Sequence, residues 1–247
     1  MPKLGLIGYP LEHSFSPKVF NKRFEKEKRN DFSYDLFPIK NIKELNKLLK
    51  SQTELLGFNV TAPYKKEILS HLYEIDKDAI DTWAVNTVHI TRFKGRTLLK
   101  GFNTDLPAFE ESIKPLIKSH HKKALVLGNG GAASAAKLAF KRLGIDVTSV
   151  SRQIKLGSLV YDELDEATMM QHKVVVNCTP VGTSPNEEQC PKIPYRYLSD
   201  AHLVYDMVYN PSETLFLKKA AEKGATTKNG MEMLELQAQK AWEIWTN

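Results

Sequence analysis

Only two cysteines occur in 247 residues, Cys178 and Cys190. They stand too far apart for a C-x-x-C pair, so neither a disulfide framework nor a zinc site is signalled; free thiols and no metal are expected. No apolar run approaches the roughly 20 residues that a membrane-spanning helix needs. The chain also lacks internal repeats, low-complexity tracts and a disordered tail. Met1–Gly5 leads directly into a strand pattern and carries no secretory apolar region, which makes cytoplasmic residence the expectation.

What is present fits a globular enzyme. Hydrophobic residues make up 42% and charged residues 26%, enough to bury a substantial core without staples. Net charge is +6. The densest basic run, Lys18 to Arg29, mixes both signs around Val19, Phe20 and Phe24 at helical spacing, and reads as the wet face of an amphipathic helix. His120-His121-Lys122-Lys123 is a short basic linker. Interleaved aromatics of the nucleic-acid kind are missing. A small anionic ligand accounts for the basicity better than a polyanion, and neither nucleic acid nor membrane is expected as a partner.

Strand and helix patterns divide the chain in two. Up to about Asn103 they alternate: Leu4–Gly8, a helix from Ser16, Tyr34–Ile39, a helix from Asn41, and Gly57–Thr61. Val85–Thr91 and Thr97–Gly101 then form a hairpin about Lys94-Gly95, so the first sheet should be mixed. From Ala124 the order becomes regular: strand Ala124–Leu127, helix Ala132–Leu143 stopped at Gly144, and strands at Asp146–Val150, Val174–Asn177 and Leu203–Asp206. That alternation predicts a doubly wound parallel sheet. The expected domains are 1–103 and 104–230. The last helix, 231–247, carries a stripe of Leu234, Ala238, Ala241 and Trp245 that should pack back on the first domain.

Gly128-Asn129-Gly130-Gly131-Ala132-Ala133 fits G-x-G-x-x-G/A. Glycine-rich turns are common; here a strand ends at the first glycine and a helix opens within the motif, which is the context a dinucleotide site requires. Gly128 permits the tight turn and Gly130 lets backbone approach a pyrophosphate. The helix N-terminus offers free N–H groups and partial positive charge. An NAD site should show a carboxylate at the end of the second strand; this chain has Ser151-Arg152-Gln153, while Asp146 lies at the other end. A guanidinium can fork onto a 2′-phosphate, so NADP is favoured.

Small polar residues recur at strand ends in eight ordered motifs. They include Gly5-Leu6-Ile7-Gly8-Tyr9-Pro10 leading to His13-Ser14-Phe15-Ser16-Pro17, Gly57-Phe58-Asn59-Val60-Thr61-Ala62-Pro63-Tyr64-Lys65, Ala84-Val85-Asn86-Thr87 and Gly101-Phe102-Asn103-Thr104-Asp105. With the Gly128 turn, Asn177-Cys178-Thr179, Asp206-Met207-Val208-Tyr209-Asn210-Pro211 and Asn229-Gly230 followed by Met233-Leu234 and Gln237, the chain resembles the shikimate dehydrogenases from Gly5 to Trp245.

The resemblance implies an N-terminal α/β substrate domain with a mostly parallel mixed sheet, and a Rossmann-type domain for NADP. It implies NADPH-dependent reduction of 3-dehydroshikimate to shikimate, a late step towards chorismate and the aromatic amino acids. Ser14, Ser16, Thr61, Asn86 and Gln237 match substrate positions, with Tyr209 near the junction of both ligands, and Lys65 and Asp105 match the catalytic pair. Gly128, Asn129, Gly130, Gly131, Ala132, Ser151, Arg152, Thr179, Met207 and Gly230 match the cofactor site. The chemistry is consistent with those residue types. Neutral hydroxyls and amides orient a polyol acid; an ammonium at Lys65 stabilises charge developing on the ketone oxygen and supplies a proton. Asp105 accepts from a neighbouring substrate hydroxyl and orients Lys65. Which of the two gives the proton is left open by the sequence. The bland roles are helix capping for Ser16 (with Pro17 at N1) and Asp105, and core for Met207 and Tyr209.

Departures from the family's pattern stand at Phe20-Asn21, where His-Asn is frequent, and at Trp83, where a glycine is usual; the indole must point out or narrow the pocket near Asn86. The phosphate clamp has Arg152 and lacks a second arginine, with Lys155 as a partial substitute. A quinate/shikimate dehydrogenase with NAD tolerance is therefore a competing reading. A non-catalytic sensor of shikimate-like acids is another, disfavoured by the intact Lys65/Asp105 pair. A monomer or weak homodimer is expected, since no heptad seam is present.

Overall fold

The computed structural model describes residues 1–12, 14–153 and 156–246. His13, a member of the first motif, and Lys155, the partial substitute in the phosphate clamp, lie outside the described residues. The chain folds into two compact units, Met1–Asp105 with Gln237–Asn247, and Leu106–Leu236.

The first unit is built on β1 (Lys3–Gly8), α1 (Ser16–Lys26), β2 (Ser33–Pro38), α2 (Leu45–Ser51), β3 (Leu55–Val60), β4 (Glu74–Ile75), α3 (Lys77–Thr82), β5 (Thr87–Phe93) and β6 (Arg96–Phe102). Its six strands run in the order β2-β1-β3-β5-β6-β4. β1 pairs parallel with β2 and β3, whereas β5 is antiparallel to β3 and to β6. The sheet is mixed, and the hairpin turns through Lys94 and Gly95, both at positive φ. One face is covered by an aromatic cluster of Phe20, Phe24, Phe32, Tyr34, Trp242 and Trp245. Phe20, which replaces a polar residue of the family's pattern, is fully buried and stacks on Tyr34 at 4.3 Å.

α4 (Asp105–Ile113) leads into the second unit. There follow β7 (Lys123–Leu127), α5 (Gly131–Arg142), β8 (Asp146–Ser151), β9 (Ser158–Val160), α6 (Glu166–Gln171), β10 (Val174–Asn177), β11 (Leu203–Asp206), α7 (Leu215–Ala221), β12 (Thr226–Lys228) and α8 (Met231–Thr246). The strand order is β12-β11-β10-β7-β8-β9, and every pairing is parallel. This is the doubly wound arrangement, with its central strands buried on both faces. α5 ends as its sequence requires. Gly144 takes φ +70, its N–H reaches Lys141 O and Ile145 N–H reaches Phe140 O, a Schellman stop.

α8 presents Leu234, Ala238, Ala241 and Trp245 as one buried stripe. Trp245 Nε1 donates to Val88 O at 2.9 Å, and a Cβ on Gly57 would collide with that indole, so the helix seats on β3 because residue 57 has no side chain. Trp242 Nε1 donates to Glu27 Oε2 at 2.7 Å.

The sequence reading of Ser16 as a helix cap is corrected. α1 begins at Ser16 with Phe15 as the capping position; the Ser14 hydroxyl accepts from Ser16 N–H at 3.3 Å, and proline follows in the first turn. Trp83 does point outward. It is 64% exposed and occupies the left-handed residue that ends α3, at φ 51, the conformation for which glycine is usual.

Candidate active site

In the first unit the strand-end motifs meet around Asn86, which sits just before β5. Thr104 N–H donates to Asn86 Oδ1 at 2.7 Å. A backbone N–H can only donate, so this contact fixes which way the amide faces. Asn86 Nδ2 is thereby turned to Asp105 Oδ1 at 2.9 Å, Thr104 Oγ1 at 2.8 Å and Gln237 Oε1 at 3.4 Å. Asp105 keeps its second oxygen for Lys65, whose Nζ donates to Oδ2 at 2.6 Å. Asp105 is buried and Lys65 is partly exposed, with 8% and 21% of their side chains accessible. Burial of the carboxylate is tolerable because a cation and an amide satisfy it. Lys65 is itself positioned through backbone: its carbonyl accepts from Val85 N–H at 2.8 Å.

The network extends beyond the residues given roles from sequence. Asn59 on β3 donates to Asn86 O and Thr87 Oγ1 and accepts from the Tyr34 hydroxyl at 2.7 Å. Burial drives the Tyr34 phenol well above its ordinary range, and the nearby Ser16 hydroxyl opposes that shift. Asn59 belongs to the Gly57–Lys65 motif, but its contacts depend on the β3–β5 register, which sets it opposite Thr87. Thr61 follows β3; its methyl lies where a Cβ on Gly8 would fall. Ser14, Ser16, Thr61, Lys65, Asn86, Asp105 and Gln237 all belong to the first unit. Tyr209 belongs to the second, half-buried.

In the second unit the glycine turn joins β7 to α5. Gly128 has φ +111, and its N–H donates to Val150 O at 2.8 Å. Gly130 precedes α5, and a Cβ there would meet nothing within 4 Å. Packing does not require a glycine there, and the bare backbone leaves room that fits a pyrophosphate. Ser151 ends β8 and its hydroxyl donates to Gln153 O at 2.5 Å, shaping the turn on which Arg152 stands exposed. Thr179 follows β10, and Met207 follows β11, partly buried against the core. Gly230 precedes α8, where any Cβ would strike the Met207 carbonyl. Asp206 is fully buried, and burial pushes it up to about 6 against three donors. Among the described residues no cluster of histidine, cysteine, aspartate or glutamate could hold a metal ion, and no helix is long and apolar enough to cross a membrane.

The shikimate dehydrogenase substrate-binding domain matches residues 6–88. A shikimate dehydrogenase (NADP(+)) of Methanococcus maripaludis is 35% identical, over 98% of this chain and 91% of its own length. The chain belongs to the shikimate dehydrogenase family. Solved structures of the family match it along its whole length. That of Thermus thermophilus in complex with NADP(H) and shikimate has a TM-score of 0.85 at 29% identity, covering 100% of this chain and 94% of that one. That of Listeria monocytogenes in complex with shikimate and NAD has a TM-score of 0.82 at 28% identity, covering 100% and 92%. The fold read from sequence, a mixed-sheet substrate domain followed by a Rossmann-like domain, is the fold of these structures.

Proposed function

We propose that this chain is a shikimate dehydrogenase that reversibly reduces 3-dehydroshikimate to shikimate with NADPH. The observation that carries the proposal is the Lys65–Asp105 pair held at 2.6 Å and tied through Asn86 to Gln237. Gly128 to Ala132, Ser151, Arg152, Thr179, Met207 and Gly230 would hold the cofactor, which when bound supplies the hydride. Lys65 places an ammonium where charge develops on the C3 oxygen and hands it a proton; in the oxidative direction the same group takes the proton back. Asp105 keeps Lys65 oriented and offers an acceptor to the adjacent hydroxyl. Asn86, Thr61 and Gln237 orient the remaining hydroxyls, and Ser14 and Ser16 receive the carboxylate. A sensor of shikimate-like acids has no need of a proton-transfer pair, and this one is intact. The enzyme works in the cytoplasm on small molecules alone, as a monomer or weak homodimer, which light scattering on purified protein checks.

The deciding experiment is steady-state oxidation of shikimate with NADP+ and NAD+. Turnover with kcat/KM favouring NADP+ is expected; ligand binding without turnover would sink the enzymatic reading. Arg152 stands as a single exposed guanidinium on its turn, which favours a modest cofactor preference over a strict one. Equal kcat/KM for the two cofactors would remove Arg152 from its role and support the NAD-tolerant reading, for which quinate is the second substrate to test.

A further inference from the structure

Asp206 ends β11 with no exposed surface. Three donors converge on its carboxylate. Asn177 Nδ2 and Val208 N–H reach Oδ1 at 2.9 and 3.0 Å, and the Thr214 hydroxyl reaches Oδ2 at 2.6 Å. The Asn177 contact matters most, because it orients an amide. With Nδ2 drawn to Asp206 and to Val181 O at 3.2 Å, Asn177 turns Oδ1 towards Thr179 and accepts both its N–H at 3.0 Å and its hydroxyl at 2.6 Å. Thr179 in turn lies against the glycine turn: a Cβ on Gly128 would come within 3.0 Å of its methyl.

The same carboxylate reaches the other strand-end loops. Val208, held by its N–H on Asp206, accepts Gly230 N–H at 3.1 Å, and Gly230 packs on the Met207 carbonyl. Met207 N–H donates to Asn177 O at 3.0 Å. The Thr214 hydroxyl donates to Asp206 while accepting from Leu217 N–H at the start of α7. One buried acceptor therefore sets the loops after β10 and β11 and the loop before α8. An apolar residue would leave Val208 N–H and the Thr214 hydroxyl unpaired and take from Asn177 Nδ2 the shorter of its two contacts, loosening the side chain that holds Thr179.

We propose that Asp206 is a positioning residue for cofactor binding, acting through Asn177 to hold Thr179 beside the phosphate turn at Gly128. The proposal rests on the reading that this turn holds NADP(H). It assigns Asp206 to affinity for the cofactor and not to the chemical step, which belongs to Lys65 and Asp105 in the other unit.

The test compares wild type with D206A, D206N, N177A and the D206A/N177A double variant, by KM for NADP+ and for shikimate, kcat, and fluorescence titration with NADPH. D206A and N177A should each raise KM for NADP+ by about tenfold or more, with kcat at saturating cofactor within about threefold and KM for shikimate within about twofold. The double variant should go no more than about twofold beyond either single, because both break one chain of contacts. D206N keeps an Oδ1 that accepts from Asn177 and Val208, so its KM for NADP+ should stay within about threefold of wild type. If D206A does not fold, N177A carries the test. KM for NADP+ unchanged in N177A, or KM for shikimate rising in step with it, would overturn the proposal. A wild type that binds NADPH without oxidising shikimate would refute the functional reading alone; the NADPH titrations then decide this one, and equal affinity in wild type and N177A would end it.

Discussion

Lys65 illustrates how one side chain can matter to rate far more than to folding. Its ammonium is partly exposed, and the partner carboxylate of Asp105 keeps the Asn86 amide when lysine is removed. Breaking a fully buried ion pair costs about 3–5 kcal/mol; with solvent reaching Lys65 and one hydrogen bond preserved, Lys65→Ala should cost clearly less. Loss of acid–base work is a different matter, amounting to roughly 10²–10⁴ in rate. Lys65→Ala is therefore expected to fold, with kcat down by that factor and KM for shikimate changed much less. A large rise in KM at unchanged kcat would make Lys65 a binding residue. Steady-state kinetics in the oxidative direction, alongside a thermal melt, separates the two outcomes.

Helix ends give the next scale. At Trp83, the left-handed residue closing α3, the expected pair of hydrogen bonds forms, Trp83 N–H donating to Ile80 O and Ala84 N–H to Ala79 O, and the indole buries little. Holding a non-glycine residue in that conformation costs about 1–2 kcal/mol. Trp83→Gly is expected to raise the melting temperature by roughly 2–4 °C for each kcal/mol recovered, with shikimate kinetics unchanged; a lower melting temperature would show that the indole packs usefully. Gly130 makes the complementary case at the start of α5. Since a Cβ there meets nothing, Gly130→Ala should fold at least as stably as wild type. It should raise KM for NADP+ by about tenfold if backbone there approaches a pyrophosphate. Unchanged NADP+ kinetics would mean that this glycine serves no ligand.

These ends also show what was legible in the sequence. Gly144, Asn41 and the Lys94-Gly95 turn could be placed because their signals are local: a residue's own backbone preference or a cap three residues away. β4, β9 and β12 were missed; they are edge strands of two or three residues, too short for any alternation to register. Ser16 was misread as a cap because its hydroxyl type fits, whereas the side chain that accepts is Ser14. At the site, Lys65, Asp105 and Asn86 could be named from motifs. Asn59 and Asp206 acquire their roles only from strands that the fold sets side by side, β3 with β5 and β10 with β11. Spacing along the chain carries no trace of that register.

At the scale of the whole molecule, four histidines spread over both units, His89, His121, His172 and His202, have been pushed below their ordinary pKa, chiefly by burial. Two of them also turn a ring nitrogen to a backbone donor. His121 Nδ1 accepts from Lys118 N–H and His202 Nδ1 accepts from Ser199 N–H, each at 3.0 Å, so a proton on either nitrogen would face a donor. Their folded pKa lies below the unfolded value of about 6.5. Below that pH the unfolded chain binds more protons than the folded one, and stability falls as pH falls from 6.5 towards the folded values; above it these groups contribute no slope. Asp206 acts in the opposite sense. Its folded pKa, about 6, lies above the unfolded 3.8, so its protonation favours the fold from about pH 6 downward and offsets part of the loss. With four groups against one, the melting temperature should drop between about pH 7.5 and pH 5.5. His202→Asn is the informative variant, since the amide oxygen can still accept from Ser199 N–H but cannot take up a proton. It should melt lower than wild type near pH 7.5, having lost the 3.0 Å contact of His202 Nε2 with Met169 O, and lose less on acidification. An acid-induced drop equal to that of wild type would show that His202 does not contribute to the slope.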